Sequence, residues 1–346
     1  MKKYFSSVLC SKGFCCAFNT IYKKDPTAKI YIINGDDYER SVFFSHLASL
    51  LQGFKTTLFN PFYDDSTDGI YIENINTYIL SDGGYNKISP ILGGIWEKYI
   101  NITEDKKYST DILRQVLVHK SLEGQQYKNA CITLKKASLI KERLHGELSK
   151  HLNEDKTVNF VHKFFTREIN SFTRRGKGEI KLLSSPTPLG FHTHYDTIFE
   201  TYPRIINIID DSGFIGSVIS SVIKNYALKQ NAYIIGSPSY FNNDFFQFLA
   251  FPENGLCLCI SDNIHTLPFT PHEVVNGQQF FTDKEILKSS RIELLLSVEK
   301  SLLEKSILQI YEGRDERFKY NSLTNEFSSP EYAKISAEKL AERLIN

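Results

Sequence analysis

A stretch of the first half of this chain recurs in its second half, and this repeat constrains the fold more than any other feature. Residues 13–22 return as residues 190–199, with Gly-Phe, an aromatic residue, Thr-Ile and a second aromatic residue at matching positions. Each copy continues into an apolar run, a polar loop and an apolar pattern of helical spacing that opens on Ser-Val. Strand, loop and helix in this order form the scaffold of a phosphate-binding P-loop, and here it occurs twice.

The repeat continues through further predicted strands and a Ser-Asp pair. Copy one has predicted strands at 30–33, 56–59, 70–72 and 78–80, and copy two has them at 205–209, 233–235 and 256–260. Continuous apolar runs of this kind favour parallel sheets. The last run of each copy leads into Ser-Asp, at Asp82 and at Asp262.

The predicted fold class is α/β, with two tandem P-loop NTPase-like three-layer domains that have parallel sheets. Each domain also carries a helical appendage that ends in a charged helix. The predicted domains are residues 1–175, with an appendage at about 105–170, and residues 176–346, with an appendage at about 283–346. A linker is expected at 171–179, where Gly, Arg and Lys crowd together.

Composition narrows the function classes. A chain of 346 residues is long enough for two packed cores. Its net charge of +1 gives no global electrostatic reason to bind nucleic acid or an anionic membrane, and the basic run at 174–177 is interpreted as a solvated linker. No segment approaches the ~20 apolar residues of a membrane span. The six cysteines lack the paired spacing of a zinc site, and Cys257 and Cys259 are expected to fill the core from one face of a strand. We therefore expect a cytoplasmic, reduced protein with neither a nucleic-acid nor a membrane partner.

The first loop, residues 34–41, departs from the P-loop pattern. A working loop needs glycines whose backbone N–H groups surround phosphate, a lysine for the β- and γ-phosphates, and a hydroxyl for Mg²⁺. Copy one has Asn34 and Glu39 where the glycines belong and Arg40 at the lysine position, and it keeps Ser41; Gly35 follows Asn34. Asp36, Asp37 and Glu39 place carboxylates where phosphate would lie, and repulsion at ~4 Å costs several kcal/mol at intermediate dielectric.

The second loop, residues 210–217, has no cation. It keeps Gly213 and Ser217, and Gly216 stands at the lysine position. The nucleotide-binding candidates of the two loops are Gly35, Arg40, Ser41, Gly213, Gly216 and Ser217. Asp82 and Asp262 follow apolar strands as a Walker B carboxylate does, so they are the metal candidates; strand-terminal aspartates are also common in turns and caps.

His192, His194 and Asp196 have the spacing of a metal-hydrolase motif. The repeat aligns them with residues 15–19, where we expect a helix, and on a helix His194 would face away from the other two. A metal site is therefore the less favoured interpretation of this motif.

Several short segments resemble a family of tandem P-loop ATPases found mainly in spore-forming low-GC bacteria. The segments are 12–14 and 187–191 ahead of the loop strands, 80–83 and 89–101 after the first Ser-Asp strand, and 144–148 in the first appendage. The resemblance covers most of the chain. It implies two P-loop domains with helical insertions and, in the family, binding and hydrolysis of ATP with Mg²⁺.

The sequence therefore predicts a degenerate tandem P-loop NTPase-like protein, a pseudo-ATPase with a regulatory or protein-interaction role and an unidentified protein partner. The alternative is an ATP- or GTP-binding P-loop ATPase with an unconventional site in the first domain, where Arg40 and Ser41 contact the phosphates. That alternative would require ATP and Mg²⁺ as cofactors, whereas the leading prediction requires none.

Overall fold

The computed structural model describes residues 1–104, 106, 108–169, 178–240 and 245–345, and its elements follow one order in both halves. The first half contains β1 (Lys2–Phe5), β2 (Ser7–Cys10), β3 (Gly13–Cys16), α1 (Phe18–Ile21), β4 (Lys29–Asn34), α2 (Asp37–Leu50), β5 (Thr56–Asn60), β6 (Gly69–Ile72), β7 (Thr77–Ser81), β8 (Glu97–Asn101), α3 (Thr110–Leu148) and α4 (Glu154–Glu168). The second half contains β9 (Gly178–Ile180), β10 (Ser184–Thr187), β11 (Gly190–Thr193), α5 (Tyr195–Thr201), β12 (Arg204–Ile209), α6 (Phe214–Lys229), β13 (Ile234–Pro238), β14 (Phe246–Phe251), β15 (Leu256–Ser261), β16 (Glu273–Asn276), α7 (Ser290–Asn325) and α8 (Pro330–Ile345).

Within these residues, each half forms one six-stranded mixed sheet of the same topology. The first sheet has the order β1-β5-β6-β7-β4-β8, and the second has the order β9-β13-β14-β15-β12-β16. In both sheets the loop strand, β4 or β12, lies between two parallel neighbours. The next strands along each sheet form an antiparallel meander, β5-β6-β7 or β13-β14-β15. The identical strand order confirms the internal repeat.

The sheets and helices stack as four layers. Residues of β4 alternate between two clusters: Ile33 packs toward α2 and α8, while Ile30 and Ile32 pack against the second sheet. In β12, Ile206 and Ile208 pack toward α4 and α6, and Ile205 faces the first sheet. Both faces of each sheet are therefore buried, which explains the continuous apolar runs in the sequence.

The terminal helix of each half covers the sheet of the other half. On α8, Ala337 and Leu340 belong to the same core cluster as Phe43 and Phe44 of α2. On α4, Val161 and Phe164 belong to the core cluster of the second sheet. The long helices α3 and α7 make this exchange by crossing as an antiparallel pair, and each delivers its terminal helix to the opposite copy.

Three sequence-based expectations about the fold are wrong. The sheets are mixed rather than parallel, because both strand directions satisfy continuous apolar runs once both faces are covered. Each sheet has helices on one face and the other sheet on its second face, so the halves are not three-layer domains. The loops are shorter than the predicted ranges 34–41 and 210–217, because α2 already begins at Asp37 and α6 at Phe214.

The motif of His192, His194 and Asp196 does not lie on one helix. His192 belongs to strand β11, and α5 begins only at Tyr195. Residues 170–177, which include most of the expected linker and its basic run, lie outside the described residues. Within the described part of the chain, no helix has the length and apolar character needed to cross a membrane.

Candidate functional site

Two candidate sites lie at the carboxyl ends of the central strands, one in each copy. In both sheets the loop strand has a parallel neighbour on each side, and the following helix begins after two intervening residues in the first copy and four in the second. Such strand ends are where open α/β sheets bind ligands, and the helix N-terminus there favours anions. These positions therefore show what each copy offers to a phosphate group.

In the first site, Asp36 caps helix α2. Its carboxylate accepts a hydrogen bond from the backbone N–H of Glu39 at 2.8 Å and another from the Ser328 hydroxyl at 2.9 Å. Lys106 forms ion pairs with Asp36 and with the fully buried Glu39. The positive end of α2 is consequently occupied by carboxylates of the chain itself.

Asp37 joins this end of α2 to the opposite copy. Its carboxylate lies 2.7 Å from the guanidinium of Arg317 on α7, and that guanidinium also binds Glu123 at 2.9 Å. Burial by itself would raise the pKa of Asp37, but Arg317 and Arg40 outweigh burial and hold it below its usual value. Asp37 is therefore a fixed negative charge.

Arg40 is buried, and its guanidinium points back toward the start of its own helix. It donates to the Gly35 carbonyl and pairs with Asp37. Its guanidinium lies directly over Gly83, where a β-carbon would overlap it. Ser41, one turn into α2, lines a cavity of about 360 Å³ beside Asp37 and Arg317. Gly35, Arg40 and Ser41 thus lie near one another, and the guanidinium of Arg40 is already engaged by Gly35 and Asp37.

In the second site, Asp210 occupies the start of helix α6. Its carboxylate accepts hydrogen bonds from the backbone N–H of Gly216 at 3.0 Å and from the Ser212 hydroxyl at 2.6 Å. Gly213 adopts a φ of +69°, and its carbonyl accepts a hydrogen bond from the Ser217 hydroxyl at 2.6 Å. Burial raises the pKa of Asp210 above its usual value. The three candidates Gly213, Gly216 and Ser217 are therefore engaged by the chain itself.

Gly216 has a packing role as well. A β-carbon at this position would lie 2.4 Å from Ile260 of strand β15. The glycine at the lysine position allows α6 to approach the sheet closely.

The second site also has a cation, supplied by the other copy. Lys141 of α3 lies beside Gly213 and forms an ion pair with Glu299 of α7 at 3.0 Å. Lys141, Glu299 and Asp262 line a cavity of about 560 Å³. This second site is consequently more open than the first.

The residues that sequence reasoning missed are the buried charges of the long helices. Glu123 and Lys141 on α3 are 18 residues apart, as are Glu299 and Arg317 on α7 (123 to 141 and 299 to 317). Each cation pairs with the glutamate of the other helix. This common spacing within apolar helix stripes is the sequence signal that could have revealed them.

The two metal candidates form local contacts. Asp82 accepts a hydrogen bond from the backbone N–H of Ile88 at 3.2 Å, and Asp262 accepts bonds from the backbone N–H and the ring of His265 at 2.8 and 3.1 Å. Burial would raise the pKa of Asp262, but His265 and Lys141 lower it to about 2. Among the residues that the structure describes, no three His, Cys, Asp or Glu side chains are grouped so that they could hold a metal ion.

The comparisons with known proteins give no assignment: no family model, no curated protein and no solved structure matches the chain.

Proposed function

We propose that this chain is a degenerate tandem P-loop NTPase-like protein that is not catalytic and acts through protein interaction or regulation. One observation carries the proposal. The N-termini of α2 and α6, which a P-loop protein would offer to phosphate, both hold carboxylates of the chain itself, Asp36 and Asp210.

The charges around the first site oppose nucleotide binding. A phosphate group would have to displace Asp36 and approach Asp37 and Glu39, all three of which already have cationic partners. Each unit of like charge at ~4 Å costs several kcal/mol at intermediate dielectric. The alternative site at Arg40 and Ser41 gains no support, because Arg40 is bound to Gly35 and Asp37.

Exposed apolar side chains on the long helices support the interaction role. Leu117 and Val118 of α3 are 66% and 57% exposed, and Leu308 and Phe318 of α7 are 57% and 52% exposed. Contact with another protein would remove these side chains from water, which is favourable.

The test is a nucleotide titration followed by melting temperature, combined with an ATPase assay with Mg²⁺. We expect neither a shift nor turnover with ATP or GTP at millimolar concentration. A ligand at 100 times its Kd would add about 2.7 kcal/mol to stability, so a real site would be seen. Turnover, or a stabilisation that Arg40→Ala abolishes, would overturn the proposal in favour of a nucleotide site in the first copy.

Asp36→Asn and Asp210→Asn supply the matched variants. Each keeps the shape of the capping side chain and removes its charge. We expect the Asp210→Asn variant not to bind nucleotide, because the carboxylates of Asp211 and Asp262 still line the site. A gain of nucleotide binding in this variant would show that the carboxylate alone excludes phosphate.

A further inference from the structure

The β2–β3 hairpin brings two thiols together. In the antiparallel register Cys10 pairs with Gly13 and Val8 pairs with Cys15, so Cys10 and Cys15 are diagonal neighbours on one face. Their sulfur atoms are 3.2 Å apart. A disulfide requires about 2.05 Å, so the two sulfurs have to approach by about 1.1 Å. Diagonal neighbours lie about 7–8 Å apart, so the two strands also have to draw together slightly when the bond forms.

We propose that Cys10 and Cys15 form a redox-active pair that a hydroperoxide oxidises to a reversible disulfide across this hairpin.

The pair can be reached by a small oxidant. Cys10 and Cys15 line a cavity of about 430 Å³ between the hairpin, strand β10 and the end of β13. A water molecule takes up about 30 Å³ in the liquid, so hydrogen peroxide fits this space easily. Most of the remaining lining is apolar, for example Leu182 and Pro238. It also includes a third thiol, Cys16, whose sulfur donates to the side-chain oxygen of Asn86 at 3.7 Å.

The surroundings of the two sulfurs assign their roles. The hydrogen bond between the Cys15 and Cys10 sulfurs lowers the pKa of Cys10. Backbone N–H groups of the turn lower the pKa further, and together they outweigh burial, which would raise it. The same contact and burial raise the pKa of Cys15. Because the thiolate is the nucleophile, Cys10 attacks the oxidant and Cys15 is the resolving thiol.

The reaction balances with hydrogen peroxide as the oxidant. The Cys10 thiolate attacks one peroxide oxygen, the O–O bond breaks, and Cys10 sulfenic acid and hydroxide form. The Cys15 sulfur then attacks the Cys10 sulfur, the S–O bond breaks, and the thiol proton leaves with the hydroxyl as water. The two sulfurs lose two electrons in total, and a dithiol such as dithiothreitol returns them by thiol–disulfide exchange.

The chain contains its own control pair. Cys257 and Cys259 are alternate residues of strand β15, with sulfur atoms 3.8 Å apart and no exposed surface. The sequence predicted that they fill the core from one face, and the structure confirms this. Burial raises the pKa of Cys259 well above its usual value, and neither sulfur is accessible to an oxidant. Proximity alone therefore does not make a redox site.

The experiment treats the intact, folded chain with hydrogen peroxide, alkylates the remaining thiols and maps them by peptide mass spectrometry. We expect two fewer alkylated cysteines, a Cys10–Cys15 disulfide, and full recovery after dithiothreitol. Cys257 and Cys259 are expected to stay reduced until the protein is unfolded. Both Cys10 and Cys15 remaining fully alkylatable, or a disulfide from Cys10 to Cys131, would overturn the proposal.

Two single variants test the roles, with Cys131→Ser as the matched control. In Cys15→Ser we expect a sulfenic acid on Cys10 that dimedone traps, and in Cys10→Ser we expect none at Cys15. Cys131→Ser is expected to form the disulfide as the unmodified chain does.

A measurement on the unmodified chain keeps the proposal testable if a variant fails to fold. The rate of Cys10 alkylation is expected to reach half its maximum below the pKa of an ordinary thiol, about 8.5. A midpoint above pH 8.5, the range of an ordinary thiol, would overturn the assignment of Cys10 as the attacking group.

Discussion

The two copies share one topology, but their strand ends are filled in different ways. The first is closed by a charge network in which Asp36, Asp37 and Glu39 meet cations from three segments. The second relies on the single carboxylate of Asp210 and backbone N–H groups, and it keeps a cavity of about 560 Å³ next to Lys141. The same backbone can thus place carboxylates at a helix N-terminus through many ion pairs or through local hydrogen bonds.

The largest expected difference between the copies concerns the two buried cations. Arg317→Met should lower the free energy of unfolding by about 3–5 kcal/mol, because Glu123 loses its buried guanidinium and Asp37 loses one of its two cations, keeping Arg40. Lys141→Met should cost less, about 2 kcal/mol. Each glutamate keeps a tyrosine hydrogen bond, but Arg317 pairs with two carboxylates, whereas Glu299 borders the cavity. Urea unfolding of both variants provides the measurement.

The double variant Glu123→Gln with Arg317→Met is the control for this prediction. It removes the charge of Glu123, one of the two carboxylates that lose the Arg317 guanidinium, and should recover part of the lost stability. Equal losses of unfolding free energy in Arg317→Met and Lys141→Met would show that the cavity beside Glu299 does not reduce the cost of removing its cation.

One carboxylate from each copy should give stability an opposite dependence on pH. Burial raises the pKa of Asp68 to about 6, so the folded state holds a proton that the unfolded chain has released. Stability should therefore fall as pH rises from about 4 to 6, by up to about 3 kcal/mol. Asp262, with its pKa lowered to about 2, contributes stability that is complete above about pH 4 and is lost as pH falls through 2.

Unfolding curves recorded from pH 2 to 7 separate these effects. Asp68→Asn should flatten the decline between pH 4 and 6, and Asp262→Asn should leave that decline in place while removing part of the loss at acid pH. A slope between pH 4 and 6 that persists in Asp68→Asn would contradict the assignment.

The smallest expected effect concerns how closely α6 approaches its sheet. Gly216→Ala should cost about 1–3 kcal/mol, since the new methyl group meets Ile260. Gly146→Ala on α3 is the matched control: no atom lies within 4 Å of the new carbon, so it should stabilise by about 0.4–1 kcal/mol. Thermal unfolding of the pair measures both, and a neutral Gly216→Ala would mean that the glycine has no packing role.

The sequence predicted the local elements around both sites well. The apolar runs placed β4 and β12, and Asp82 and Asp262 follow strands as predicted. The prediction of parallel sheets was wrong because a strand buried on both faces is an apolar run whether its neighbours are parallel or antiparallel. The first loop was predicted too long because a P-loop of standard length was assumed. The Asp36 carboxylate caps α2, so the helix begins at Asp37, inside the predicted loop.

The partners of the terminal helices could not be predicted. An amphipathic pattern shows that α4 and α8 have an apolar face, but it does not say which sheet that face covers. The cations Lys141 and Arg317 were missed for the same reason. Their positions at the two sites depend on the crossing of α3 and α7, which is a long-range property of the fold.

The exchange of terminal helices has a consequence for synthesis on the ribosome. The strands of the first sheet are all present once residue 101 has been made, but the helix α8 that shares its outer face begins at Pro330. At about 5–20 residues per second, that face stays partly uncovered for about 10–50 s. The nascent first half therefore presents an apolar surface throughout the synthesis of the second, and a chaperone that binds apolar segments would have its longest opportunity there.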